Sequence, residues 1–137
     1  MNTSELLDQF IQEAREGLEQ IGQRLLDVER RPGDAELLND LFRQVHTLKG
    51  NCGLFDFKPL ETVVHAGEDL LDRVRNGSLA YSGAIADALL AAMDYTAELI
   101  DAIAQDGALP AGAAPRAQAL AAALRQHLAA PNDVVAA

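Results

Sequence analysis

The sequence is poor in the residues that favour β-sheets. It contains no tryptophan, aromatic residues make up only 4%, and 16 β-branched residues (Val, Ile and Thr) stand against 25 alanines and 21 leucines. Alanine and leucine have high helix propensities, whereas β-branched and aromatic residues favour strands. These proportions predict an all-α fold rather than an all-β or α/β fold. A length of 137 residues is sufficient for one domain with a substantial core.

Basic residues and long apolar runs are also scarce. Twenty-one acidic residues against eleven lysines and arginines give a net charge of −10, which argues against binding to nucleic acid or to an anionic membrane surface. No apolar run approaches the ~18 residues of a membrane span. Glu5 and Asp8 stand where a signal peptide would carry basic residues. We therefore expect a cytoplasmic protein that is not inserted in a membrane and whose partners are proteins or small molecules.

Cysteine occurs once, at position 52. A single thiol cannot form an internal disulfide, and it fits a reducing compartment. Cys52 and the three histidines do not reproduce the ligand spacing of a structural zinc site. The sequence also lacks the glycine-rich phosphate loop and the acidic metal cluster of a kinase. We expect no metal and no cofactor in this chain.

Apolar residues recur at three- and four-residue intervals, which indicates amphipathic helices. Four long helices are predicted, with Asn2, Asp34 and Ser82 as N-caps of the first, second and fourth, and with the third running from about Pro59 to Arg75. Because short turns join these helices, they are expected to form an antiparallel up-down four-helix bundle.

A weaker, alanine-rich fifth helix is predicted from Pro115 to about Leu128. Leu120, Leu124 and Leu128 recur at four-residue intervals and would form its apolar stripe, which packs on the side of the bundle. Residues 1–130 would then form one domain, and residues 131–137 a linker or a frayed C-terminal end.

The second helix carries a histidine at the edge of its buried face. On a helical wheel, His46 lies roughly 100° from the centre of the apolar stripe, and Gly50 and Gly53 follow it on the same side. Two positions without side chains would let a partner protein approach the imidazole closely. Close packing between helices, or a fraying helix end, explains the glycines equally well.

The third helix carries one histidine and three acidic residues on a single face: Glu61, His65, Glu68 and Asp72. If the second and third helices are neighbours, Glu68 could accept a hydrogen bond from one ring nitrogen of His46 and leave the other free to attack. Lys49, one turn after His46, could stabilise a phosphoryl group on the ring. The alternatives are a solvated acidic face and a lysine whose head is simply in water.

The run from Phe42 to Gly50 resembles the H-x-x-K-G signature of histidine phosphotransfer (HPt) domains, with its histidine at His46. The downstream run from His65 to Asp72 and the fifth helix are similar to the P1 domains of the chemotaxis histidine kinase CheA. Together with the Gly53–Phe57 stretch, these features extend the resemblance over essentially the whole chain.

The resemblance implies a phosphotransfer function in two-component chemotaxis signalling. His46 would accept the ATP γ-phosphoryl on Nε2 from an ATP-binding kinase domain, in the same protein or a dimer partner. It would pass the group to an aspartate of a response-regulator receiver domain such as CheY. Glu68 would accept the Nδ1–H bond, and Lys49 and His65 would complete the hydrogen-bond network. ATP and magnesium would come with the partner domains.

The receiver domain is expected to dock weakly over the seam of the first two helices. The resemblance assigns four residues around the histidine to that docking surface: Phe42, Gly50, Asn51 and Gly53. The remaining histidine, His127 on the fifth helix, matches no functional position and is interpreted as a surface residue.

Three other functions compete with phosphotransfer. In an inert interaction or dimerisation bundle, all of these polar residues would belong to the surface. A di-iron bundle needs Glu-x-x-His twice, whereas His65 and Glu68 give the reversed order once. In the dimerising hairpin of ordinary sensor kinases an acidic residue follows the histidine. Here Thr47 follows it, and there are four long helices rather than two.

Overall fold

A computed structural model describes the backbone of residues 2–136 and the side chains of residues 2–128. Over that range the chain forms five α-helices and no strand: α1 Thr3–Arg30, α2 Ala35–Cys52, α3 Lys58–Arg75, α4 Gly83–Asp106 and α5 Ala113–Ala136. The prediction of an all-α fold is confirmed. None of the helices described is both long and apolar enough to cross a membrane.

Side-chain caps begin three of the helices as predicted. The side chain of Asn2 accepts a hydrogen bond from a backbone N–H of α1, Asp34 accepts two from α2, and Ser82 accepts one from α4. α3 begins one residue before the predicted Pro59 and has no side-chain cap. Proline tolerates the first turn because the N–H groups there have no intrahelical partner.

The first four helices close into the predicted bundle. The connections between them are short, so consecutive helices run antiparallel, and the contacts form a ring from α1 through α2, α3 and α4 back to α1. All four contribute fully buried large side chains: Phe10, Ile21, Leu41, Leu48, Leu60, Leu70, Leu71, Ile85, Leu89, Leu99, Ile100 and Ile103. Each contributes about 1.5–3 kcal/mol of burial free energy, which holds the helix faces in register.

The α2–α3 connection is packed onto the core by aromatic rings. Phe55 and Phe57 lie 5.5 and 6.3 Å, centroid to centroid, from the buried ring of Phe10 on α1. Aromatic pairs at such separations attract one another beyond simple burial. The connection is therefore fixed, and with it the register of α2 against α3.

α5 packs against α3 and α4 with a broader stripe than the predicted one. Its buried residues are three alanines and one leucine: Ala113, Ala117, Ala121 and Leu124. Leu120 and Leu128 are only half-buried at the edge of the core. Leu124 is thus buried as predicted, and the small alanine side chains, which were not predicted, allow α5 to approach the bundle closely.

The predicted end of α5 at about Leu128 was too early. The helix continues to Ala136 and so includes residues 131–136, which were expected to form a linker or a frayed end. Ala129 and Ala130 have high helix propensity and continue the helix past Leu128, whereas Pro131, Asn132 and Asp133 are poor helix formers. A domain boundary at residue 130 stays a prediction, and the side chains after residue 128 lie outside those described.

Candidate functional site

A hydrogen bond across the α2–α3 seam ties the imidazole of His46 to the carboxylate of Glu68. The His46 side chain is 62% exposed at the rim of the bundle, whereas the Glu68 side chain is only 10% exposed. Nδ1 of His46 donates to Oε2 of Glu68. With the proton on Nδ1, Nε2 carries a free lone pair, so the ring is held in the tautomer that makes Nε2 a nucleophile.

Lys49 completes the group by binding the other oxygen of Glu68. Its Nζ donates to Oε1 at 2.8 Å. Burial raises the pKa of Glu68, but the hydrogen bonds from Lys49 and His46 outweigh that effect, and the pKa lies below its ordinary value. Glu68 is therefore a carboxylate at neutral pH, able only to accept. The Lys49 ammonium retains two further donors one helical turn from His46.

His65 lies beside this group and pairs with a different carboxylate. Its Nε2 is 3.6 Å from Oδ1 of Asp69, one turn further along α3. The second oxygen of Asp69 accepts a hydrogen bond of 2.9 Å from Arg125 on α5. Among the side chains described, His65 thus contacts Asp69 rather than His46 or Lys49, and its share in the phosphotransfer network stays a prediction.

Only one member of the predicted α3 face reaches His46. Glu61 lies 3.7 Å from Lys58 at the start of α3, and Asp72 binds Arg75 at the end of the helix. Glu68 lies between them in the sequence and is the residue that bonds to His46. A helical wheel places all three acidic residues on the same face of α3. Only the way α3 crosses α2 determines which of them reaches His46.

Potential metal ligands occur at one place in the described side chains. His65, Glu68 and Asp69 each offer a ligand atom within 4.8 Å of the others. Both carboxylates already bind cations, since Glu68 holds Lys49 and Asp69 holds Arg125. A metal ion would have to displace these partners, so the arrangement is better suited to ion pairing than to coordination.

Phe42 contacts the imidazole directly. Its ring centroid is 6.0 Å from that of His46, and the two planes are inclined by 15°. The guanidinium carbon of Arg75 lies 3.9 Å from the Phe42 centroid. Phe42 was predicted to belong to the docking surface, whereas Arg75 was not among the predicted site residues. A signal was present, because Arg75 continues the three- and four-residue spacing of the acidic face on α3.

The other predicted docking residues follow the histidine in the last turns of α2 and at its C-cap. Gly50 is exposed, and a Cβ placed there would meet no atom within 4 Å. Asn51 lines a shallow groove between α1 and α2, together with Thr47. Gly53 is an exposed C-cap with φ −76°, a conformation open to any residue. The two glycine positions after His46 thus carry no side chain that would obstruct a partner, and their role in docking stays a prediction.

Two other reactive side chains lie outside this group. Cys52 is buried, and burial together with the charge of Glu61 raises its pKa to about 12. A thiol with such a pKa is a poor nucleophile at neutral pH. His127, predicted to be a surface residue, is half-buried on α5.

Comparison with protein families identifies one match over nearly the whole chain. The Hpt domain family model matches residues 5–130. Chemotaxis protein CheA of Bacillus subtilis (strain 168) is 34% identical over 107 residues, which are 78% of this chain and 16% of that protein. CheA of Treponema pallidum (strain Nichols) is 33% identical over 130 residues, or 95% of this chain and 16% of that protein. The chain therefore spans about a sixth of the length of these relatives.

A solved structure shares the whole fold. The phosphorylated P1 domain of CheA3 in complex with CheY6 from R. sphaeroides matches with a TM-score of 0.81 and 28% sequence identity. The match covers 91% of this chain and 96% of the P1 domain. The similarity extends to the fifth helix, since it covers far more than a four-helix core.

Proposed function

Because the chain belongs to the Hpt domain family, we propose that it is the histidine phosphotransfer domain of a chemotaxis kinase, with His46 as the phosphoacceptor. The observation that supports this most strongly is the bond between the exposed His46 imidazole and the nearly buried Glu68 carboxylate. An imidazole needs both properties to exchange a phosphoryl group between proteins, because it must be reachable and must present one unprotonated nitrogen.

The first step transfers the γ-phosphoryl group of ATP to His46. The lone pair on Nε2 attacks the γ-phosphorus, a bond to Nε2 forms, and the bond to the leaving oxygen of ADP breaks. The ring gains positive charge while Nδ1 keeps its proton. Glu68 stabilises that charge through its hydrogen bond, and Lys49 supplies a cation for the phosphoryl oxygens.

The second step passes the group to a response regulator. A carboxylate oxygen of a receiver aspartate attacks the phosphorus, the bond to Nε2 breaks, and the neutral imidazole is restored. A relative whose phosphorylated P1 domain was solved in complex with CheY6 supports a receiver domain such as CheY as the partner. The groove between α1 and α2, beside Thr47 and Asn51, is the expected docking seam.

ATP and magnesium belong to the partner domains in this proposal. The ATP-binding kinase domain would lie in the same protein or in a dimer partner, because the chain matches only 16% of the CheA relatives. A cytoplasmic location is part of the proposal, and the single buried thiol of Cys52 supports it.

The test is phosphorylation of wild type and His46→Gln by a chemotaxis kinase core with radiolabelled ATP. We expect acid-labile, base-stable label in wild type, mapped to His46 by mass spectrometry, and none in His46→Gln. His127→Gln is the control, because His127 lies on α5 outside the site, and it should incorporate label normally. Circular dichroism should show that all three proteins are folded. Equal incorporation into His46→Gln would instead support the inert-bundle interpretation.

A further inference from the structure

The hydrogen bond to Glu68 leaves one property of the His46 ring poorly determined. It fixes the position of Nδ1, but a mostly exposed ring can still tilt about that bond. Phosphoryl transfer needs the attacking nitrogen, the phosphorus and the leaving oxygen roughly in line. The orientation of the imidazole plane therefore matters as much as its tautomer, and a second contact is needed to set it.

Phe42 supplies that contact from one turn earlier on α2. The two rings are nearly parallel, at 15°, and 6.0 Å apart, within the range of attractive offset stacking. Phe42 itself is only half-buried and packs at the edge of the core. A ring in that position can guide His46 only if something holds the ring as well.

Arg75 holds Phe42 from the last turn of α3. Its guanidinium carbon is 3.9 Å from the Phe42 centroid, well inside the range of cation–π attraction. The guanidinium is itself anchored, since Nε donates to Asp72 at 3.0 Å and Nη1 donates to Asn39 on α2 at 3.4 Å. Arg75 thus bonds to side chains of both helices of the seam.

We propose that Arg75 is a positioning residue for phosphotransfer: anchored by Asp72 and Asn39, its guanidinium fixes the Phe42 ring, which sets the plane of the His46 imidazole. His46 is then restrained at its edge by Glu68 and on its face by Phe42. The consequence for transfer rests on the proposed function, whereas the consequence for ring orientation does not.

The first experiment measures ring orientation by NMR, without any phosphodonor. The carbon-bound ring protons of His46 are assigned by comparison with His46→Gln, and stacking on Phe42 shifts their resonances. Phe42→Leu should move these resonances toward random-coil positions, and Arg75→Met should move them part of the way. Phe42→Tyr retains a ring and should keep the wild-type shift.

Arg73→Met is the matched control for Arg75→Met. Arg73 is exposed and lies in the same last turn of α3, so its replacement alters the charge of the helix end equally. It should leave the His46 resonances unchanged. Amide spectra and thermal melting establish that each variant is folded. If Arg75→Met shifts the His46 resonances no more than Arg73→Met does, the proposal is wrong.

The second experiment uses a chemotaxis kinase core with the domain as its substrate. Arg75→Met should lower kcat about two- to fivefold and leave KM unchanged. This is the fold-change that corresponds to the free energy of one exposed cation–π contact. Phe42→Leu should lower kcat about two- to tenfold. A rise in KM alone would overturn the proposal, because Arg75 and Phe42 would then act only in docking. If wild-type His46 accepts no phosphoryl group, the proposed function fails, and the NMR shifts alone decide the positioning role.

Discussion

Nδ1 of His46 on α2 donates a hydrogen bond to Oε2 of Glu68 on α3, 22 residues further along the chain. This bond joins the most exposed member of the site to its most buried member. The carboxylate is rigid because it is buried and bound on both oxygens, and it transfers that rigidity to a ring that must remain open to partners. An exposed side chain is normally free to rotate. The His46 ring on α2 is both exposed and oriented, because the carboxylate that orients it is buried on another helix, α3.

Replacing Glu68 by glutamine should slow phosphorylation much more than it weakens receiver binding. Glutamine keeps the shape but loses the charge that stabilises the ring as it becomes positive. A hydrogen bond to a charged group is worth about 1.5–3 kcal/mol, so the rate from ATP should fall about 10- to 100-fold. Radiolabel kinetics measure the rate, and isothermal titration with a receiver measures affinity, which should change less than about twofold.

Glu61→Gln is the control, since Glu61 shares the α3 face but pairs with Lys58 instead. It should retain the wild-type phosphorylation rate. Equal losses in the two variants would show that the effect comes from the general acidity of α3 and not from the bond to His46.

The two lysines of the chain allow a paired test of the site. Lys49→Met removes a 2.8 Å bond to the nearly buried Glu68 and should lower the free energy of unfolding by about 1–2 kcal/mol, together with the phosphorylation rate. Lys58→Met removes only exposed contacts of 3.5 and 3.7 Å and should change stability by less than about 0.5 kcal/mol. Urea denaturation measures both. Matching losses in the two variants would contradict the assigned role of Lys49.

The depressed pKa of Glu68 predicts how stability depends on pH. Because the folded-state pKa lies below the ordinary value of 4.5, ionised Glu68 stabilises the fold above that pH. As pH falls below 4.5 toward the folded pKa, this contribution is lost. The difference in unfolding free energy between wild type and Glu68→Gln should therefore shrink as pH falls from about 5 to about 3. A difference that does not change down to pH 3 would contradict the prediction.

Gly50→Ala should raise the stability of the domain and weaken its binding to the receiver domain. The added Cβ meets no atom within 4 Å, and alanine is favoured over glycine in a helix by about 0.5–1 kcal/mol. If the receiver packs closely on α2 beside His46, the methyl group should raise the dissociation constant about tenfold. Thermal melting and titration with a receiver measure the two effects.

Gly22→Ala serves as the control, because Gly22 is also helical and also has space for a Cβ, but lies in a groove between α1 and α4. It should raise stability similarly and leave receiver affinity unchanged. Unchanged affinity in Gly50→Ala as well would remove Gly50 from the docking surface.

Local sequence signals predicted most of the helices well. Asp34 in front of α2 caps it as expected, and His46, Lys49 and Gly50 share a helix whose periodicity fixes their spacing. Such features depend on neighbours within a few residues, where backbone geometry alone determines which side chains meet. The predicted stripe of α5 was incomplete: Leu124 is buried as expected, but three buried alanines were missed, because small side chains pack closer than a scale of hydrophobicity indicates.

These local signals could not predict which side chains meet between helices. Composition and periodicity were enough to predict an all-α chain with a histidine at the edge of the buried face of α2 and several acidic residues on one face of α3. The structure was needed to show that Glu68 bonds to that histidine. It was also needed to show that His65 pairs with Asp69 and that Arg75 lies over the Phe42 ring. The physical reason is that the crossing of two helices depends on the packing of the whole core. A difference of one turn in that crossing would exchange one acidic partner for another.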